Sequence, residues 1–187
     1  MCRARVEILP IMFEVELLVT LKIPDVTALT AGNSLRRRLG YAERLVSLKR
    51  ADYYRLELDL EAAKPALELV SQLAERTNHF VNPNKHTFTV RAVEQRLNPP
   101  RKKGGFEVEV LVTDAEGDRA ADLEQALVND RLAEGKVKAV HVGVLWTLTL
   151  KTDSAAEALE TARKIAITRA RDQGLLANPH FQAVAIS

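Results

Sequence analysis

The chain contains nearly the same octet twice, FEVELLVT from Phe13 to Thr20 and FEVEVLVT from Phe106 to Thr113, with seven of the eight letters identical. An internal repeat constrains the fold strongly, because the unit that the first copy forms must form again in the second. Within each octet apolar and polar residues alternate, which is typical of a strand with one buried face. The sequence therefore predicts a duplicated unit that opens with a β-strand.

A helix is predicted after each octet. In the first copy Asp25 is a suitable N-cap residue, and Gly40 stands where a helix commonly ends. In the second copy Asp118 and Gly135 take the corresponding places. Each copy therefore continues from a strand into a helix.

A strand-rich stretch follows in each copy, and the two stretches align Tyr54 with Trp146. They read LVSLKRADYYRLELD and VKAVHVGVLWTLTLK. Each is long enough for two strands or for one bent strand, with a break expected near Ala51-Asp52 or near Gly143. Because Trp146 takes the place of Tyr54, we expect it in a core or an interface rather than on a ligand-stacking surface.

A second helix, a loop and a last strand complete each copy. The helices carry apolar residues at helical spacing, namely Ala66, Leu67, Val70, Leu73 and Ala74 in the first copy, and Leu159, Ala162, Ile165 and Ala166 in the second. Ser154 and Glu157 form a capping box before the second of these helices. Each helix leads into an Asn-Pro loop, Asn82-Pro83 or Asn178-Pro179, and then into HTFTV or FQAVAI.

The predicted fold class is α+β, with repeat units at 12–93 and 106–187. The segment 94–105 between them contains prolines, glycines and basic residues typical of a linker. Two helices would cover one face of each antiparallel sheet, and the other face would stay half apolar. Because such a face is commonly covered by a second copy, we expect the two units to form a pseudo-dimer through their sheet faces.

Composition narrows the classes of partner. The 187 residues carry a net charge of +2, which provides no field that would favour nucleic acid or an anionic membrane. The single cysteine, Cys2, excludes an internal disulfide and fits a reducing, cytoplasmic setting. No run of apolar residues approaches the length of a membrane span. Met12 could be the true start, with residues 1–11 as a loose extension.

The repeated carboxylates are the residues most suggestive of catalysis. Glu14 and Glu16, repeated as Glu107 and Glu109, could act as acid/base pairs in a stand-alone enzyme, but we favour a solvated or partner-facing strand. The four histidines His79, His86, His141 and His180 could share a metal, although loop and strand-end histidines are more common. We predict no catalytic residue, no cofactor and no metal site.

Two basic segments suggest binding. Lys103-Gly104-Gly105-Phe106 superficially matches an RNA-recognition strand, but it opens a unit and lacks companion aromatic residues. Arg36-Arg37-Arg38 lies at a predicted helix end, where cations interact favourably with the helix dipole. A solvated helix end is the default interpretation of this run, and a partner contact is the sharper one.

Several segments resemble the PurS family, the small subunit of phosphoribosylformylglycinamidine synthase. In the first copy these are Val19-Thr20-Leu21-Lys22, Leu39-Gly40-Tyr41 and the strand from Tyr53 to Leu58, and in the second copy Leu175-Leu176-Ala177-Asn178-Pro179. The chain departs from the family pattern at Phe80-Val81-Asn82-Pro83, at Val112-Thr113-Asp114-Ala115 and at Ala51-Asp52, where the family has Gly-Lys. Taken as two copies, the resemblance spans nearly the whole chain.

The resemblance implies two tandem PurS-like, ferredoxin-like βαββαβ units and a protein without an active site of its own. It implies a bridging subunit that joins the large ATP-dependent synthetase subunit and the glutaminase subunit of a ligase complex in purine biosynthesis. As partner contacts we expect the helix end and the Asn-Pro loops, namely Arg36, Arg37, Arg38, Asn82, Asn178 and His180. Further self-association is left open.

The main alternative is a tandem ferredoxin-like regulatory protein that binds a small molecule between its two units. That alternative predicts a ligand pocket at the seam of the two copies and a melting temperature that rises with a metabolite.

Overall fold

The computed structural model describes residues 12–94, 98–114, 118–170 and 173–187. It is an α+β fold, as predicted. The elements are β1 (Met12–Leu21), α1 (Val26–Arg37), β2 (Leu45–Asp59), α2 (Ala63–Arg76), β3 (His86–Ala92), β4 (Arg101–Lys102), β5 (Gly105–Asp114), α3 (Asp118–Val128), β6 (Val137–Leu150), α4 (Ala155–Ala166) and β7 (Gln182–Ile186). Both octets form strands, and both HTFTV and FQAVAI lie in or at the last strand of their copy.

All seven strands belong to one antiparallel sheet, in the order β3-β1-β2-β6-β5, with β4 and β7 both paired to β5. The two copies meet where β2 pairs with β6, from Leu45↔Leu150 to Leu58↔Val137. They are thus joined edge to edge by backbone hydrogen bonds. The expectation that the sheet faces of the two units pack on each other is wrong, because the units are joined by hydrogen bonds between the edges of β2 and β6 instead.

Each central stretch is a single long strand, β2 or β6, and not a pair of strands. The expected break near Ala51-Asp52 or Gly143 is absent, so the order in each copy is βαβαβ rather than βαββαβ. β1 pairs β2 only as far as Val19↔Asp52, and the rest of β2 pairs β6 alone on the other side. Each long strand therefore pairs with the octet strand of its own copy over part of its length. It pairs with the long strand of the other copy over nearly all of its length, and we call this β2–β6 pairing the seam.

All four helices pack on one face of the sheet, which we call the covered face. Two cores lie there, a first core around Leu17, Leu56 and Leu73 and a second core around Val110, Leu148 and Ile165. Leu35 of α1, from the first copy, is buried in the second core, and Leu127 of α3, from the second copy, is buried in the first. The copies thus exchange one helix each, contrary to the expectation that both helices of a copy cover their own sheet. The segments 12–93 and 106–187 remain a prediction as repeat units.

The helix boundaries follow the capping residues in most places. The Asp25 side chain accepts a hydrogen bond from the Ala28 amide at 3.0 Å, and Ser154 accepts one from the Glu157 amide at 3.2 Å. Gly40 follows α1 with a φ of 77°, in the left-handed region that favours glycine. The second copy differs, because α3 ends at Val128 and a turn intervenes before Gly135.

Part of the predicted linker is structured. Arg101–Lys102 forms the short strand β4, which pairs with Gly105 and Phe106 as a hairpin. Residues 95–97 of the linker and the N-terminal segment 1–11 with Cys2 lie outside the described residues. Within the described part of the chain, none of the helices has the length and apolar character needed to cross a membrane.

The exchange of helices generates the first prediction. Leu35→Ala should lower the free energy of unfolding by about 2–5 kcal/mol, because it leaves a cavity in the core of the other copy. Leu29→Ala, on the exposed side of the same helix, should change it by no more than about 0.5 kcal/mol. Urea unfolding followed by circular dichroism measures both, and equal costs for the two variants would contradict the packing of α1.

Candidate functional site

The first candidate surface surrounds the start of α1. Ile23, Val26 and Leu29 are exposed there by 69%, 72% and 55%, although apolar side chains of this size gain by leaving water. A shallow cavity beside the helix is lined by Val26, Thr30 and Leu175, among others. Leu175 itself is exposed and comes from the second copy. We call Ile23, Val26, Leu29 and Leu175 the α1 patch.

The two Asn-Pro loops form the same turn. The Asn82 side-chain oxygen accepts from the Asn84 amide at 3.0 Å, and that of Asn178 accepts from the His180 amide at 3.1 Å. Such a contact between an asparagine side chain and the amide two residues later stabilises a turn. The expected partner residues Asn82 and Asn178 thus hold their loops in shape.

Both loops are connected to the α1 patch. Lys22 Nζ, next to Ile23, donates to the Pro83 carbonyl at 2.6 Å. On the other side, Leu175, Asn178 and His180 line one cavity. Each Asn-Pro loop therefore adjoins the α1 patch through one residue, Lys22 for the first loop and Leu175 for the second.

The arginine run at the end of α1 is divided in its roles. Arg36 donates from Nε to the Leu45 carbonyl at 2.9 Å and from Nη2 to the Val46 carbonyl at 3.0 Å, so it fixes the start of β2. Arg37 and Arg38 are exposed. Of the three, Arg37 and Arg38 are thus the more accessible candidates for a partner contact.

The corresponding helix of the second copy presents a different surface. The exposed residues of α3 include Arg119, Asp122 and Gln125, where α1 exposes Val26 and Leu29. The two helices occupy equivalent places in the duplicated fold, since each follows the octet strand of its copy. At the two equivalent positions, α1 thus exposes Val26 and Leu29, whereas α3 exposes the charged residues Arg119 and Asp122.

The second candidate site lies on the sheet face opposite the helices, which we call the open face. Arg91 of β3 bonds to Glu16 through Nε, and its Nη1 and Nη2 donate to Glu109 at 2.8 and 2.7 Å. Glu16 and Glu109 are the same residue of the repeated octet. One carboxylate of each suggested acid/base pair is thus bound to the guanidinium of Arg91, a residue that no sequence motif marked.

This contact requires a strongly curved sheet. Three strands separate β3 from β5, so a flat sheet would place these strands about 19 Å apart at strand spacings of about 4.8 Å. Because the arginine and the glutamate touch, the open face must be concave. Tyr53 and Leu145 on this face are accordingly only 3% and 4% exposed.

Electrostatics in the concave face favour the protonated forms of Arg91 and Tyr53. Hydrogen bonding to Glu109, opposed by partial burial and supported by Glu16, raises the pKa of Arg91 above its usual value. Tyr53 donates to Glu16 at 2.9 Å, and burial, followed by the charge of Glu16, raises the pKa of Tyr53 well above its usual value. The alternation in HTFTVRA placed Arg91 on this face, but only the strand register could reveal its partners.

The histidines lie apart and have separate partners. His79 is 3.0 Å from Asp130, His141 is 2.7 Å from Glu57, and His86 Nδ1 accepts from the Asn82 amide at 3.2 Å. His180 is exposed beside Phe181. Within the described ranges no group of three or more His, Cys, Asp or Glu residues is placed to hold a metal ion.

Removal of the Arg91 guanidinium should loosen the concave face. Arg91→Gln should cost about 1–3 kcal/mol, because Glu16 and Glu109 would stay partly buried without their shared cation. Adding Glu16→Gln should recover part of the loss, whereas Arg37→Gln, on the exposed end of α1, should cost little. Urea unfolding at pH 7 measures all three, and an Arg91→Gln cost no larger than that of Arg37→Gln would refute the role.

Tyr53 should make stability depend on alkaline pH. Since its folded-state pKa is raised, its contribution is fully present below about pH 10, the pKa in unfolded chains, and is lost as pH rises beyond it. Unfolding free energies measured from pH 8 to 11 should therefore fall less steeply above pH 10 for Tyr53→Phe than for the wild type. Parallel curves would show that Tyr53 titrates normally.

Comparisons with known proteins found no relative: no family model, no curated protein and no solved structure matches the chain. The resemblance to the PurS family therefore depends on the motifs quoted from the sequence.

Proposed function

We propose that this chain is a bridging subunit that resembles two fused PurS units and joins an ATP-dependent synthetase subunit to a glutaminase subunit. The observation that carries the proposal is the position of the motif residues. Three residues of the segments that resemble the family are found there: Leu175 is part of the exposed α1 patch, and Lys22 and Asn178 lie beside it. Residues of the family-like motifs that are far apart in the chain thus lie at one apolar surface suited to a partner.

The different helix surfaces of the two copies support a bridging role. A protein that joins two unlike subunits needs two unlike contact surfaces, and duplication provides equivalent positions that can diverge. In this chain α1 exposes Val26 and Leu29, whereas α3 exposes Arg119 and Asp122. We assign the apolar surface to one partner and the charged surface to the other.

The proposal includes the finer fold assignment. Each copy is taken as a PurS-like, ferredoxin-like unit whose central strand has become one long strand, and the pair as a covalent pseudo-dimer. Fusion removes the concentration dependence of assembly from two separate chains. The proposed place of action is the cytoplasm, together with the other enzymes of purine biosynthesis.

Reconstitution tests the proposed function. The purified chain is combined with the synthetase and glutaminase subunits of its own organism, and glutamine-dependent release of ADP is assayed with and without the chain. We expect activity only when the chain is present, and co-elution of all three components. Activity that is indifferent to the chain would overturn the proposal.

The α1 patch provides a matched pair of variants for that assay. Val26→Glu places a charge in the patch, and Val46→Glu makes the same change at an exposed position of β2, outside both assigned surfaces. Only Val26→Glu should reduce co-elution, because it raises the Kd of the complex tenfold or more by placing an unpaired charge in an apolar contact. Both variants should fold normally, since both valines are exposed. Equal weakening by the two would exclude the patch as the contact.

One observation favours the alternative, a regulatory protein that binds a small molecule. A cavity of about 500 Å³ lies at the seam and is lined by Tyr53 and Arg55 from the first copy and by residues of β5, α3 and β6 from the second. Pockets of this size commonly hold small ligands.

A further inference from the structure

The seam cavity arises where two strands part. β5 pairs with β6 only as far as Val112↔Val144, and beyond this point β6 pairs with β2 while β5 pairs with β7. Gly143 stands at the parting, where a Cβ atom would lie 2.7 Å from the Val112 carbonyl oxygen. We call the space between the parted strands the fork cavity.

The equivalent place in the first copy is filled by charges. There β1 and β2 part after Val19↔Asp52, and the guanidinium of Arg50 lies 2.8 Å from Asp52 and 3.5 Å from Asp25. When the two copies are aligned at Tyr54 and Trp146, Val142 corresponds to Arg50 and Val144 corresponds to Asp52. The second copy therefore has two valines where the first has an arginine and its carboxylate, and space remains.

Two arginines line the fork cavity from different copies. Arg55 comes from β2, and its Nε atom is buried without a hydrogen-bond partner in the described part of the chain. A buried donor without an acceptor is costly and is usually satisfied by a water or an ion. Arg119 comes from the first turn of α3 and reaches Tyr54 only at 3.5 Å. Both guanidinium groups thus retain capacity to donate.

The remaining polar groups leave the lining cationic. Asp114 is a carboxylate of the lining, and its oxygen accepts from Gln182 Nε2 at 2.9 Å. His141 in the lining is in contact with Glu57. Arg55 pairs with Glu14 at 3.6 Å, and the pair is weak because both side chains are partly exposed. Two arginines against one lining carboxylate favour an anion.

We propose that the fork cavity binds a small anion, a phosphate or a carboxylate, through Arg55 and Arg119. Arginine binds both groups well, because its planar fork can donate two parallel hydrogen bonds to either. Arg55 extends from the open face, as Tyr53 does, and Arg119 comes from a helix on the covered face. An anion held by both would therefore lie in the gap beside β6 and contact both copies. The site is distinct from the α1 patch, but Arg119 also belongs to the charged surface of α3 that we assign to a partner. Its tests use the chain alone, so their outcome is separate from that of the reconstitution.

Thermal unfolding of the full chain tests the site. Sodium phosphate, sodium pyrophosphate and sodium succinate are titrated separately, with sodium chloride at matched ionic strength as the control. At least one of the three should raise Tm above the chloride control, by roughly 3–6 °C at ten times its Kd. A preference for the phosphates or for succinate identifies the source of the anion. Equal effects of all three and chloride would overturn the proposal.

Variants assign the binding to the cavity. Arg55→Gln and Arg119→Gln should each weaken the Kd of the effective anion at least tenfold. Lys138→Gln is the matched control, because Lys138 carries the same charge on the same strand as His141 but does not line the fork cavity. Retained affinity in both arginine variants would refute the site.

Wild-type protein supplies a measurement that does not depend on how the variants fold. In amide NMR spectra the same anion should shift the resonances of 111–114 and 140–144, which line the cavity. Shifts confined to other parts of the chain would contradict the proposal.

Discussion

The antiparallel pairing of β2 with β6 is the interaction on which the rest of the structure depends. It extends from Leu45 to Leu58 and joins two copies of a unit into one sheet, so that no copy has a sheet of its own. Both strands continue past the end of the octet strand of their own copy. Each therefore contributes side chains to the core of the other copy, such as Leu45 of β2 in the second core and Val140 of β6 in the first. The helix exchange follows from this, since α1 covers the far part of β2, where the second core lies.

Local sequence patterns predicted most of the strands and helices, but they could not predict how strands from the two copies pair. Alternation in the octets identified β1 and β5, and Asp25 and Ser154 identified two helix starts, because these features are set by neighbours in the chain. The edge-to-edge union of the copies was missed, since a free strand edge has no signature in side-chain hydrophobicity. The end of α3 was also missed, because Gly135 belongs to a turn whose geometry favours glycine as much as a helix end does.

The candidate sites show the same division. Asn82, Asn178 and His180 were identified from the loops, and the structure adds how each loop adjoins α1: the first through Lys22 and the second through Leu175. Arg91 could not be identified, because Glu16 is 75 residues away in sequence and becomes its neighbour through strand pairing, and Glu109 becomes one only through the curvature of the sheet. The cavity at the seam likewise depends on the place where two strands part, which is fixed by register and not by residue type.

The exchange of helices also has a consequence for how the chain reaches its native state. Each core contains groups from both copies, so the first core is incomplete until Leu127 of the second copy is in place. Contacts between residues so far apart in sequence form late and slow folding, because a large loop must close first. A half-folded chain offers the edge of β2 to any matching β6, including that of another molecule. The covalent link raises the local concentration of the correct partner and thereby favours closure within one chain over exchange between two.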